Sequence, residues 1–139
     1  MSTLAIGGPC VAQELELDRS DLANAAEKHR VADVAALVEG RSGSAVRLAA
    51  LAELAGIGDE ARFVHVASED GGFTANIELA TALAGLVLYE HEGEELPRSF
   101  GGPFRLLFVD SDDCSVNVKF LGRVEFLKEP GTHTAACPD

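Results

Sequence analysis

Apolar and polar residues alternate along several short stretches of this chain, and the period changes more than once. Leu4 to Ile6 and Val11 to Leu17 predict two short strands around Gly7-Gly8-Pro9, with Gln13, Glu14 and Glu16 interrupting the apolar residues in partial alternation. Ser20 in front of Asp21-Leu22-Ala23-Asn24-Ala25-Ala26-Glu27-Lys28 predicts an N-capped helix, with an acid in its first turn and a basic end that complements the helix dipole. Val31 to Val38 reads as a buried strand, ended by the loop Glu39-Gly40-Arg41-Ser42-Gly43-Ser44. Leu48, Leu51, Ala52 and Ala55 then fall at helical spacing, with Gly56 as a left-handed stop.

Further on, Ala61 to Ser68 predicts a strand with Phe63, His65 and Ala67 on one face and Val64, Val66 and Ser68 on the other. Glu69-Asp70-Gly71-Gly72 supplies the turn, Phe73 to Ile77 another short strand, and Glu78 to Leu83 a helical turn or two. Leu86 to Tyr89 reads as a buried strand before the acidic turn Glu92-Gly93-Glu94-Glu95. Gly101-Gly102-Pro103 leads into a strand from Phe104 to Val109, and Asp110-Ser111-Asp112-Asp113 reads as a solvated loop. Val116 to Leu121 begins as a helical turn, and Arg123 to Lys128 closes the sheet system. Many short strands with two or three short helices predict an α+β fold of several small mixed sheets rather than a βαβ dinucleotide fold. One domain is expected over residues 1–129, with a flexible tail over 130–139.

Bulk properties narrow the partners. The chain has 139 residues, 47% of them hydrophobic, with seven Phe and no Trp, which suits one folded core. No apolar run approaches the roughly 20 residues of a membrane helix, and Met1-Ser2-Thr3-Leu4-Ala5-Ile6 lacks the basic start and apolar core of a secretion signal. A cytoplasmic location is the expectation. A formal charge of -12 argues against nucleic acid and anionic membranes, since both bind through Lys and Arg neutralising phosphate. Three cysteines, Cys10, Cys114 and Cys137, show no CxxC spacing and leave one unpaired, which suits a reducing compartment and argues against zinc.

Candidate chemistry concentrates late in the chain. Arg105 is an isolated cation in an apolar strand, and Lys119 stands near Asn117, so two cations and an amide are placed to converge on an anion. Taken alone, Arg105 reads more simply as a surface arginine paired with an acid. His65 reads as a packed or surface histidine, His29 and His133 as solvated, and His91 between Glu90 and Glu92 as a solvated edge, because strand neighbours point to opposite faces. Asp110, Asp112 and Asp113 lack the glycine and distal glutamate of a calcium loop.

Phe100-Gly101-Gly102-Pro103-Phe104-Arg105 and Asn117-Val118-Lys119-Phe120-Leu121 resemble two segments of the sulfite oxidase-like molybdopterin-binding domain family, His-Gly-x-Pro-x-Arg and a Val-Lys-Trp-Leu-like run. Val46 to Gly56 is similar to that family's Gly-Val-x-Leu-x-x-Leu-Leu-x-x-Ala-Gly helix. Ser68 to Phe73 is similar to its Ser-x-Asp-Gly-Tyr turn, and Leu88 to Pro97 to its Ala-Tyr-x-x-Asn-Gly-x-x-Leu-Pro segment. The resemblance implies a sulfite-oxidase-type molybdopterin-domain fold. It also implies a pterin phosphate held by Arg105 and Lys119, with Asn117 where serine is usual.

Departures from the pattern bear on function. Phe100 stands at the histidine position and Val116 where arginine is common. If each charge-assisted bond is worth about 1.5–3 kcal/mol, losing two weakens phosphate binding by on the order of 10² to 10⁴. The family's molybdenum-binding cysteine lies in a Cys-Val-Glu-x-Trp-Ser-Gly-like segment, and the similar stretch here begins at Leu37. Leucine has no lone pair to give a metal. Molybdopterin binding is therefore expected to be weak or absent, and molybdenum is not expected.

Two main readings follow, and whether the chain is an enzyme stays open between them. One is a small stand-alone domain of degenerate site, acting as a binding or interaction module toward a pterin, a small anion or a protein partner. The other is a molybdenum-cofactor-dependent oxidoreductase of oxygen-atom-transfer type, in which Cys114 or a partner subunit substitutes for the missing ligand. A third reading, pterin or nucleotide binding without metal, needs only Arg105, Asn117 and Lys119.

Overall fold

The computed structural model describes residues 3–25, 27–31, 33–34, 43–108 and 118–129. Strand β1 (Leu4–Gly7) pairs antiparallel with β2 (Leu15–Leu17), so the second strand is shorter than the alternation over 11–17 predicts. The reason lies in the residues between them. Ala12 and Gln13 donate their N–H groups to the Ala55 carbonyl at 3.0 and 3.2 Å, and so satisfy the end of a helix instead of a sheet neighbour.

Helix α1 (Arg19–Ala23) is capped by Asp18, not by Ser20. Asp18 accepts from the Asp21 N–H at 2.9 Å, and Asp21 accepts from the Asp18 N–H at 2.9 Å, a reciprocal capping box. The predicted helix over 21–28 is therefore broken, its second part being a 3₁₀ turn at Glu27–His29. His29 is not solvated as expected: its side chain is 13% exposed and its Nε2 lies 3.1 Å from a Glu53 oxygen. Of the expected strand over 31–38, Val31 lies in β3 (Arg30–Val31), while residues 32 and 35–38, Leu37 among them, lie outside the described residues.

β4 (Ser44–Arg47) runs directly into α2 (Leu48–Ala55), which buries Leu48, Leu51, Ala52 and Ala55 and stops at Gly56 with φ 71°. β5 (Phe63–Ser68) alternates as predicted, burying Val64 and Val66, and turns into β6 (Thr74–Glu78). Short α3 (Leu79–Leu83) leads to β7 (Leu86–His91), whose hairpin partner is β8 (Glu94–Glu95). β9 (Arg105–Leu107) and β10 (Leu121–Leu127) complete the set. Where a helical turn is expected over 116–121, Val118 instead bridges Leu106 and the chain enters β10 through a turn at Lys119 and Phe120. Apolar Val118 and Leu121, both fully buried, fix that path by joining the core.

The strands form two five-stranded sheets. In the first, ordered β2-β1-β10-β5-β6, β10 is central and parallel to β1 while every other pairing is antiparallel. The second is ordered β3-β4-β7-β8, with β9 also on β7. A main core of residues such as Leu4, Leu51, Val66, Val87, Phe104, Leu106 and Phe126 lies between these layers. Ala45, Leu86, Leu88, Leu96 and Leu107 form a smaller cluster on the other side of the second sheet. β7 is thus buried on both faces, which is why Leu86 to Tyr89 reads as a continuous apolar run.

Candidate anion-binding site

β7 organises the site. β4 lies along one of its edges, and the other edge is shared: β8 pairs with Glu90 and His91, β9 with Leu86 to Leu88. The chain between β8 and β9 leaves that edge and returns to it. Leu96 is buried, a 3₁₀ turn covers Arg98–Phe100, Gly101 has φ 86°, and the Gly102–Pro103 peptide is cis. A Cβ on Gly102 would overlap the Leu96 carbonyl, so the residue there must be glycine for the loop to close on itself.

The side-chain stems of the two predicted cations both approach Gly101. A short ladder brings them there: Leu106 and Val118 exchange backbone bonds of 2.9 and 3.1 Å, Leu121 donates to Phe104 at 2.7 Å, and Phe120 donates to Gly101 at 2.7 Å. A Cβ on Gly101 would lie 3.0 Å from Arg105 Cδ and 3.1 Å from Lys119 Cγ. Arg105 is 8% exposed and donates from Nη1 to the Phe100 carbonyl at 3.2 Å. It is therefore buried rather than on the sheet surface. Lys119 is exposed and makes no ion pair among the described residues. Asn117, the third predicted member, lies outside the described residues, as do Cys114 and Val116.

Neighbouring turns frame this pair. Arg98 reaches Glu69 at 2.8 Å and lies over the Phe120 ring at 5.4 Å from its centroid. Glu69 donates its N–H to the Phe120 carbonyl at 2.7 Å, which ties in the turn after β5. Within that turn Asp70 accepts from the Gly72 N–H at 2.9 Å and from Ser68 Oγ at 2.8 Å, and these bonds hold its carboxyl below the usual value. Phe100 is 45% exposed, with its ring edge-on to His91 at 4.7 Å.

His91 is the site neighbour that sequence reasoning misses. Its place at the end of β7 predicts a solvated edge, yet the Glu92-Gly93 turn folds the chain so that the following loop brings Phe100 against it. The detectable signal is the two-residue hairpin, since Glu-Gly after an apolar strand sends the chain back along the same edge.

Ligands for a metal are a different matter. Among the described residues no group of three or more His, Cys, Asp or Glu is arranged to hold one. Cys10 donates its N–H to the Phe126 carbonyl, toward the far end of β10 from Leu121, roughly 17 Å along the strand at about 3.3 Å per residue. Burial also pushes its thiol up, away from the thiolate that metals take. Among the described residues Arg105 and Lys119 supply positive charge beside the Gly101 turn, and no described thiol lies there.

Two layered sheets with a few short helices define a small α+β fold. Its family follows from the sequence: residues 2–135 match the model of the oxidoreductase molybdopterin binding domain, and the chain belongs to that family. The fold is similar to the crystal structure of the sulfane dehydrogenase SoxCD from Paracoccus pantotrophus. The match has a TM-score of 0.70 and 19% sequence identity, and covers 92% of this chain but 38% of that one. No curated protein matches the sequence. Among the described residues no helix is long and apolar enough to cross a membrane.

Proposed function

We propose that this domain is a binding module of the molybdopterin-binding fold, holding the phosphate of a pterin or another small anion weakly through Arg105, Asn117 and Lys119. The supporting observation is the approach of the Arg105 and Lys119 side-chain stems to Gly101. Each cation does a different job. Arg105, buried and anchored on the Phe100 carbonyl, offers a fixed planar fork, whereas Lys119 brings a mobile point charge from the solvent side. Asn117 adds an amide donor in this reading. Phe100 and Val116 remove two polar contacts usual in the family, which makes the binding weak, and Leu37 removes the thiolate. A cytoplasmic setting and an interaction partner belong to the same proposal.

The family's description as an oxidoreductase domain favours a second reading, a molybdenum enzyme completed by Cys114 or a partner subunit. When bound, such a cofactor supplies a centre for oxygen-atom transfer. This chain's own part would be to neutralise and orient its phosphate.

Protein purified from a host that makes the cofactor separates the two readings, by elemental analysis for molybdenum and by fluorescence of oxidised pterin. The module reading expects little or no molybdenum, with inorganic phosphate binding that weakens about 10-fold in Lys119→Ala. Stoichiometric molybdenum that disappears in Cys114→Ser would overturn it. Leu37→Cys is expected to gain metal if the missing ligand is the site's one defect.

A further inference from the structure

β1 turns Leu4 and Ile6 into the core, so Ala5 and Gly7 lie on the opposite face of the first sheet. Ala5 is in register with Glu16 of β2 on one side and with Arg123 of β10 on the other, and cross-strand partners share a face. Long side chains of opposite charge thus wall a floor made by alanine. A cleft of about 140 Å³ lies there, lined by Ala5, Ile6, Glu14, Leu15, Glu16 and Arg123. A Cβ on Gly7 would lie 3.4 Å from Arg123 Nη2 and 3.4 Å from Glu14 Oε1, so these two atoms are no more than twice that distance apart. They form no ion pair with each other, and neither Glu14 nor Glu16 enters any ion pair among the described residues. The ion pair of Arg123 runs from Nε to Glu125 at 3.2 Å, which steadies the guanidinium while Nη2 stands near Glu14.

We propose that this cleft binds a free α-amino acid, with its carboxylate on the Arg123 guanidinium and its ammonium on Glu14 and Glu16. Single charges fit it badly. A lone carboxylate meets two glutamates as well as the arginine, and a lone cation meets the arginine as well as the glutamates, so each is attracted and repelled at once. A zwitterion satisfies both walls through charge-assisted hydrogen bonds at its two ends. At about 140 Å³ the cleft is smaller than the roughly 300–1,000 Å³ of pockets that take drug-sized molecules and cofactors, so it suits a ligand of a few heavy atoms. Neither Arg105 nor Lys119 takes part, and the amino-acid site stands or falls apart from the anion-binding reading.

The experiment titrates the isotope-labelled whole chain at neutral pH and constant ionic strength with L-alanine, acetate and methylammonium, and follows backbone amide shifts by NMR. L-Alanine is expected to give saturable shifts at Ala5, Glu16 and Arg123 with a midpoint of about 1 mM, and each single-charge probe to bind at least about 10-fold more weakly. Arg123→Gln and Glu14→Gln, both at exposed side chains, are each expected to weaken L-alanine about 10-fold. Ala5→Val fills the floor with a residue that suits a strand and points away from the core, so it is expected to keep the fold and abolish binding. Absence of saturable shifts with L-alanine would overturn the proposal. So would methylammonium binding as tightly as L-alanine, which would make this a plain cation site, or undiminished L-alanine binding in Arg123→Gln.

Discussion

Phe120 donates its N–H to the Gly101 carbonyl at 2.7 Å while itself holding a left-handed backbone with φ 56°. A phenylalanine in that region is strained, at about 1–3 kcal/mol, and persists only where its surroundings fix it. They do so here: its carbonyl accepts from Glu69, and its ring lies under Arg98. The turn that presents Lys119 is therefore set by three chain segments at once.

Gly101→Ala tests how tightly that arrangement is built. The added Cβ meets Arg105 Cδ at 3.0 Å in a residue with φ 86°, so the variant is expected to lose about 1–3 kcal/mol of stability. It is also expected to bind phosphate less well, because one cation must move. Urea unfolding and calorimetry check the two effects; an alanine variant of unchanged stability would refute the close approach of Arg105 and Lys119.

Arg98 and Glu69 join two turns across an exposed surface, with the guanidinium also over Phe120. A double-mutant cycle with Arg98→Ala and Glu69→Ala is expected to give a coupling of about 0.2–1 kcal/mol. Arg98→Lys should lose part of it, since an ammonium lacks the planar fork. Zero coupling would mean that the bridge does nothing to hold the loop.

Acid should loosen the turn after β5. Hydrogen bonds from the Gly72 N–H and from Ser68 lower the Asp70 pKa in the folded state, so the native protein binds fewer protons there than the unfolded chain. The stability from this group is full above the ordinary aspartate value and is lost as pH falls through the lowered folded value. Asp70→Asn is expected to remove that part of the acid limb in unfolding curves taken from pH 6 to pH 2. Parallel curves for the two proteins would show that the turn does not carry it.

Cys10 should react slowly with thiol reagents. It is 4% exposed, and burial together with nearby Glu60 pushes its thiol up, leaving little thiolate at neutral pH. A Cys114→Ser, Cys137→Ser protein is expected to be labelled only as it unfolds. Rapid labelling of the native state would contradict the burial.

Local chemistry made much of this fold readable. Leu48, Leu51, Ala52 and Ala55 with a terminal Gly56 leave little choice but a helix, and the two faces of β5 follow from alternation alone. Errors arose where two neighbouring residues could serve one purpose. Asp18 and Ser20 are both good caps, and the reciprocal bond with Asp21 decides for Asp18. Val11 to Gln13 have strand-like composition, but the Ala12 and Gln13 N–H groups go to the end of α2, a partner more than 40 residues away. The site divides in the same way. Resemblance of two segments singled out Arg105 and Lys119, yet their meeting depends on the long-range Leu106–Val118 bridge, and His91 against Phe100 depends on a loop returning to its own strand. No local period encodes either contact.

The parallel pairing of β1 with β10 sets a condition on how this protein comes off the ribosome. The first described strand has its sheet neighbour in the last described one, and β5 needs the same strand on its other edge. Until Leu121 to Leu127 leave the exit tunnel, β1 and β5 each have an open edge and no shared centre. A nascent chain arrested before residue 121 should thus remain open to protease and to chaperones, with closure of this sheet waiting on β10.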